Sequence, residues 1–405
     1  MTEQFVRYTS EIERADPGFE KSLQTVLDNM RRHTERSVDA EGIGVAVRDA
    51  HAKGYGLARG EVEILEGLPE EYAQGIYATP GRHEAMLRFS NGTAHTGADK
   101  FLPATCGIGL KIFDIDGPTM LEDEADTRTF DYAMINNPTF FVNTVEHYLF
   151  LQGLILQIGT VPPADEPADE KRRRLYRFLH DWVTGDGTLP PEEWAWKELG
   201  AFLSLAQIKF LNPLLSTYWT MGAVRHGDYI AKVRVAPDQA FADRVVRRTL
   251  GVDSADEVFR PALVAELRER PYEFDIQVQL CTDLEHMPVE DVTVRWSETL
   301  SPFVTVARLS LQQQDISGPD NLARMDATSM TPWRVTEEHR PLGNIMRTRK
   351  EVYRQSSLLR HRLNHQIRRE PRNLAEVFGP PVAGTAQLPD TGAGPSATTR
   401  EGNHN

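Results

Sequence analysis

The chain has 405 residues, 40% hydrophobic and 26% charged, a composition that builds a sizeable core in two or three domains or one large one. Its 45 Lys+Arg against 59 Asp+Glu give a formal charge of −14, a field that repels phosphate backbones and anionic lipid and so excludes nucleic-acid and membrane-surface roles. Two cysteines, Cys106 and Cys281, form no disulfide framework and fit no zinc spacing, which points to a reducing, cytoplasmic setting.

In chain order, Phe19, Leu23, Val26, Leu27 and Met30 recur with a 3.6-residue period and predict a helix over 18–36. From Gly42 the texture turns to β, and the stretch 42–64 is rich in Val, Ile and Gly. Three more strand-like runs follow at 85–90 (AMLRFS), 107–113 (GIGLKIF) and 130–135 (FDYAMI). Residues 142–215 read as a mostly helical insertion, broken by PPADEPADE and by Pro190-Pro191. Strands resume at 229–235, 273–280, 292–296 and 304–311, and a helical pattern returns over 344–373. Beyond Phe378 large apolar residues are almost absent, which predicts a disordered tail over 379–405. Strands, a long helical excursion and strands again imply one α+β domain over 1–378 rather than alternating βαβ units.

No apolar leader stands at the N-terminus, and the apolar runs 148–161 and 201–219 are interrupted by polar residues. Both fall short of the about 20 residues a membrane span needs and read as buried helices. Asp114-Ile115-Asp116-Gly117 is a turn, since its glycine comes too early for a calcium loop. Neither Gly42-Ile43-Gly44 nor Gly107-Ile108-Gly109 completes a dinucleotide fingerprint.

The strongest local signal lies between residues 347 and 369. Arg349 and Tyr353 are one helical turn apart, and Arg360, eleven positions beyond Arg349, returns within about 20° of the same face. Guanidinium groups beside a phenol favour its anion, so Tyr353 is a candidate phenolate. The alternative is a plain basic face of an amphipathic helix.

Five motifs, in order, resemble those of the haem catalases. They are Arg48 with His51-Ala52-Lys53-Gly54, then Arg88-Phe89-Ser90, then Gly109-Leu110-Lys111-Ile112-Phe113. Asp131 with Asn136-Asn137-Pro138-Thr139-Phe140-Phe141 follows, and then Arg349-x-x-x-Tyr353 with Arg360. Pro213-Leu214, Tyr218-Trp219, the stretch 278–291 and Pro332-Trp333-Arg334 are similar to the small, catalase-related haem peroxidase branch. The resemblance implies an eight-stranded antiparallel β-barrel, the helical insertion about 142–215 and a haem-ligand helix about 344–373.

By the same resemblance the cofactor is haem b, with Tyr353 as the axial iron ligand and Arg349 keeping it ionised. His51 is then the general base and acid, Ser90 accepts from its other ring nitrogen, and Asn136 donates to the peroxide. Anchoring on the aromatic pair instead would favour Asn137. Arg48, Arg88 and Arg360 are implied to neutralise the haem propionates. Phe140 and Phe141 line the distal pocket or serve as plain core. The residue before His51 is Ala50, where large catalases have valine and catalase-like allene oxide synthases have threonine.

The implied activity is peroxidase or catalase-like reduction of hydrogen peroxide or an organic hydroperoxide, with an organic electron donor. The alternatives are a fatty-acid hydroperoxide lyase or isomerase and a non-catalytic haem-binding protein. The arms that hold large catalases together are not recognisable here, which leaves a monomer or a homodimer open.

Overall fold

The computed structural model describes residues 4–39, 44–93, 96–100, 104–158, 167–205, 210–251 and 253–379. Its strands are β1 (Gly54–Ile64), β2 (Gly81–Asn91), β3 (Cys106–Phe113), β4 (Thr129–Ile135), β5 (Tyr218–Trp219), β6 (Val224–His226), β7 (Tyr229–Pro237), β8 (Tyr272–Leu280) and β9 (Val304–Leu311). All pairings between them are antiparallel, in the order β5-β4-β3-β2-β1-β9-β8-β7, and β5 also pairs with β7. That last pairing closes an eight-stranded barrel, while β6 continues along the β7 edge.

Nine α-helices surround it among the described residues: α1 (Phe19–Asp39), α2 (Val145–Ile158), α3 (Ala168–Thr184), α4 (Trp196–Leu205), α5 (Gln239–Ala242), α6 (Phe259–Glu269), α7 (Pro319–Ala327), α8 (Asn344–Leu363) and α9 (Leu374–Phe378). No helix among those residues is long and apolar enough to cross a membrane.

Alternation along the strands decides what faces where. Ala85, Leu87 and Phe89 of β2, Ile108, Leu110 and Ile112 of β3, and Phe130, Tyr132 and Met134 of β4 fill the barrel interior. The intervening residues point outward, yet every residue of β3 and β4 is buried, because helices cover that outer wall. Register then aligns three rows across β2, β3 and β4: Ser90–Gly107–Ile135, Arg88–Gly109–Ala133 and Met86–Lys111–Asp131.

Helix α8 packs over this region. Glu290 Oε2 accepts from the first helical N–H, at Asn344 (2.8 Å), and Glu13 Oε1 accepts from Gly343 N (3.2 Å). Two carboxylates at a helix N-terminus satisfy its unpaired donors and oppose its dipole.

Two expected strands differ. The stretch 42–64 becomes a strand only at Gly54, and residues 44–53 run as an irregular segment in which His51 holds φ +60°. The run 292–296 is not a strand: residues 292–293 form a turn, where Asp291 Oδ1 accepts from Thr293 N (3.0 Å) and draws the backbone out of the extended form. Residues 40–43, and the expected tail from 380 onward, lie outside the described residues.

Candidate functional site

A cavity with about 1560 Å³ of empty space, its open mouth included, lies on the outer wall of β2–β4 beneath α8. Of the residues expected from sequence, Arg48, His51, Arg88, Phe140, Phe141, Arg349, Tyr353 and Arg360 line it. Ser90 stands directly behind His51. Asn136 does not line this cavity.

His51 is held by the two outward rows nearest it. Its Nδ1 lies 2.7 Å from the main-chain oxygen of Asn91 and 3.3 Å from Ser90 Oγ. A carbonyl oxygen only accepts, so Nδ1 carries the proton and Nε2 keeps its lone pair. The principal partner is therefore the Asn91 carbonyl, with the expected Ser90 secondary. Arg88 Nη2 donates to the His51 carbonyl (2.8 Å), which ties down a non-glycine residue at positive φ. Gly107 supplies the space, since a Cβ there would fall 2.3 Å from the imidazole. Burial, reinforced by the Arg88 charge and then those of Arg349 and Arg48, pushes the His51 pKa down to about 3. The ring is neutral at physiological pH.

On α8, Arg349 Nη2 donates to Tyr353 Oη (2.9 Å) and to the Ala133 carbonyl (3.1 Å). The four-residue helical spacing makes the first contact, and β4 anchors the guanidinium through the second. The remaining arginines converge from three elements. Arg48 Nη1 donates to Asp326 Oδ1 (2.9 Å), and Arg360 Nη1 donates to the Asp326 carbonyl (2.7 Å). Arg88 Nη1 donates to Ser90 Oγ (3.0 Å), but its buried Nε has no partner. Burial and the neighbouring guanidiniums press the Arg88 and Arg360 pKa values down, with Asp326 as the opposing carboxylate.

Phe140, Phe141, Val145, Tyr148, Leu205 and Met221 add an apolar wall. The rings of Phe140 and Phe141 lie 4.4 Å apart and also join a packed cluster with Trp182 and Phe202, so they serve both cavity and core. Asn136 Oδ1 instead accepts from Cys106 N (2.9 Å). Asn137 Nδ2 donates to the Thr139 carbonyl (2.8 Å), and both asparagines line a separate pocket beside Lys197 and Arg295. Asp49 and Tyr148 line the main cavity without having been singled out in the sequence. A loop carboxylate and a helical tyrosine carry no motif by themselves.

The donor set can be tested against haem, the cofactor the sequence implies. Three converging arginines with Asp326 beside them, Asp49 being engaged by His33 (2.9 Å), and an orphaned guanidinium nitrogen fit a group bearing two carboxylates. Tyr353 presents an oxygen donor, and the remaining lining is apolar. The residues fit the group.

No family model and no curated protein matches the sequence. Solved structures do. The chain is similar to catalase A from Saccharomyces cerevisiae, at 15% identity and a TM-score of 0.59, covering 98% of this chain and 83% of that one. It is also similar to a fungal catalase, at 14% identity and a TM-score of 0.57 (98% and 80% covered), and to a bacterial catalase, at 15% identity and 0.58 (96% and 70%). The closed antiparallel barrel, its helical covering and these superpositions together give the chain the fold of the catalases.

Proposed function

We propose that the protein is a haem-dependent oxidoreductase that reduces hydrogen peroxide or an organic hydroperoxide. The observation that carries the reading is one cavity holding a neutral histidine, an arginine-bonded tyrosine and three arginines short of anions.

In this reading Tyr353 would hold the iron through its phenol oxygen, which Arg349 Nη2 positions by a hydrogen bond of 2.9 Å. Arg48, Arg88 and Arg360 hold the two carboxylates of haem b, which relieves their mutual repulsion. Bound there, the iron supplies two-electron redox chemistry toward a peroxide. The protein moves the proton. His51, with Nδ1 donating to Asn91 O, offers Nε2 as a base to one peroxide oxygen and returns the proton to the other. An organic donor completes turnover in the peroxidase mode.

A second reading, rearrangement of an organic hydroperoxide, is favoured by the apolar wall of Phe140, Phe141, Val145, Leu205 and Met221. A passive haem carrier has no need of a positioned neutral base.

The test is an absorption spectrum of haem-loaded protein, wild type beside Tyr353→Phe, followed by peroxide. One haem per chain, with ferric charge-transfer bands altered in the variant, is the expected result. Oxygen release then separates catalase from donor-dependent turnover. A wild type that binds no stoichiometric haem overturns the reading.

A further inference from the structure

We propose that Asn364, at the end of α8, is a positioning residue whose side-chain amide clamps Ala46 and so sets Arg48 and His51 relative to Tyr353. The inference rests on the haem reading above.

The site is assembled from separate pieces of chain. Helix α8 carries Arg349, Tyr353 and Arg360, while Arg48 and His51 come from the irregular segment 44–53. That segment belongs to no helix or ladder, so its main-chain groups must find partners elsewhere. At its far end Ala52 N donates to the Thr93 carbonyl (3.1 Å) and Lys53 N to Asn91 Oδ1 (3.0 Å), which moors it to the end of β2. At its near end the partners are side chains of two helices. Val47 N donates to Ser37 Oγ of α1 (3.1 Å). Asn364 Oδ1 accepts from Ala46 N (2.7 Å), and Asn364 Nδ2 donates to the Ala46 carbonyl (2.9 Å). Among the described residues these two are the hydrogen bonds that join the segment to α8. Asn364 is itself fastened to the helix, since its N–H donates to the Arg360 carbonyl (3.0 Å) one turn back.

The chemistry of the clamp is specific. Ala46 offers one donor and one acceptor, and a carboxamide answers both, whereas a carboxylate answers only the donor. What lies five residues on gives the clamp its purpose. His51 is a non-glycine residue at φ +60°, a conformation that persists only where its surroundings over-determine it. Arg88 and the Asn91 carbonyl hold it from the β2 side. Asn364 holds the other end of the segment, helped by His33, 2.9 Å from Asp49.

A control is built into the fold. Asn321 of α7 makes the same fork on Leu57 of β1, with Oδ1 accepting from Leu57 N (2.9 Å) and Nδ2 donating to its carbonyl (2.7 Å). Neither residue lines the cavity.

The experiment loads wild type, Asn364→Ala, Asn364→Asp and Asn321→Ala with haem. It measures haem stoichiometry, the ferric spectrum, the rate constant for reaction with peroxide, the cyanide Kd and the urea midpoint. Both alanine variants are expected to bind one haem with the wild-type ferric spectrum and to lower the midpoint comparably. Only Asn364→Ala should slow the peroxide reaction, about tenfold, through a displaced His51. Its cyanide Kd rises in step, because hydrogen cyanide also gives up a proton on binding. Asn364→Asp, which keeps the acceptor and loses the donor, moves both in the same direction and serves as the test if the alanine variant does not fold. A rate constant and Kd unchanged in the Asn364 variants, or equally changed in Asn321→Ala, overturn the proposal while the haem reading stands. Failure of wild type to take up haem removes the reading and the proposal with it.

Discussion

Two groups of buried charge sit within two strand positions of each other, about 7 Å along the wall of β2–β4, and they are built on opposite principles. In the row of Lys111 and Asp131, three cations meet three anions. Lys111 Nζ bonds Asp131 (2.7 Å) and Glu370, Arg334 bonds Asp131, Glu124 and Glu370 (3.1 Å to the last), and Arg368 bonds Glu124. Lys111, Asp131 and Arg334 are fully buried, and each charge has its partner in the chain. One row away, Arg88 converges with Arg48 and Arg360 on a cavity whose own carboxylate, Asp49, is engaged by His33 (2.9 Å), with Asp326 the carboxylate beside the arginines. A closed set of charges is structure. An open set is a demand for a ligand, and its location in a cavity says where the ligand goes.

The comparison breaks most sharply at Arg334. Arg334→Met leaves Glu124, Asp131 and Glu370 short of a partner and is expected to cost about 3–5 kcal/mol of stability, read by urea denaturation. Unchanged stability would mean the cluster is not closed.

Gly107→Ala puts a Cβ against the His51 ring and should lower peroxide turnover roughly a hundredfold while haem uptake persists. Stopped-flow kinetics on the loaded variant checks it.

Acid distinguishes the neutral histidines from the paired charges. Burial pushes the His226 pKa down to about 4, and His51 lower still. Below the ordinary imidazole value of about 6.5 the unfolded chain binds more protons than the folded one. Their contribution is therefore complete above about pH 6.5 and is lost as pH falls through about 4, at up to about 1.4 kcal/mol per unit for each histidine. Stability profiles of His226→Gln beside wild type should separate over that interval, and coincident profiles would count against it.

Arg360→Leu, from the open set, should change apoprotein stability by less than about 1 kcal/mol, since it also removes repulsion, yet speed haem loss about tenfold. Transfer to a haem scavenger measures the second effect. The smallest expected change is Asn136→Ala, about 1 kcal/mol of stability from the unpaired Cys106 N–H.

Much of this was legible before the structure. The runs 85–90, 107–113 and 130–135 fall inside β2, β3 and β4 because strands covered on both faces read as continuous apolar segments. Arg349, Tyr353 and Arg360 share a helix whose spacing alone puts them on one face. What escaped is decided by local side-chain competition. Asn136 is drawn to an orphan backbone N–H at Cys106, and Asp291 caps a turn where β-branched residues suggested a strand. Strands β5 and β6, of two and three residues, are too short to leave a period. The charge balance that separates the two rows also needs three dimensions, since Glu370 and Lys111 are 259 positions apart.

The brevity of β5 reaches beyond legibility. The barrel is fastened on one side of β5 by a single residue pair, Ile135 with Trp219, and on the other by two, Tyr218 with Val235 and Trp219 with Arg234. Elsewhere β1 and β2 are stitched along ten pairs. A cylinder so fastened has a clasp, and thermal opening starts at the clasp. Ile135 and Met221, on either side of it, both line the main cavity. The amides of 218–222 are therefore expected to exchange with deuterium ahead of the rest of the wall, and the order of that exchange would show how the interior of the molecule first becomes wet.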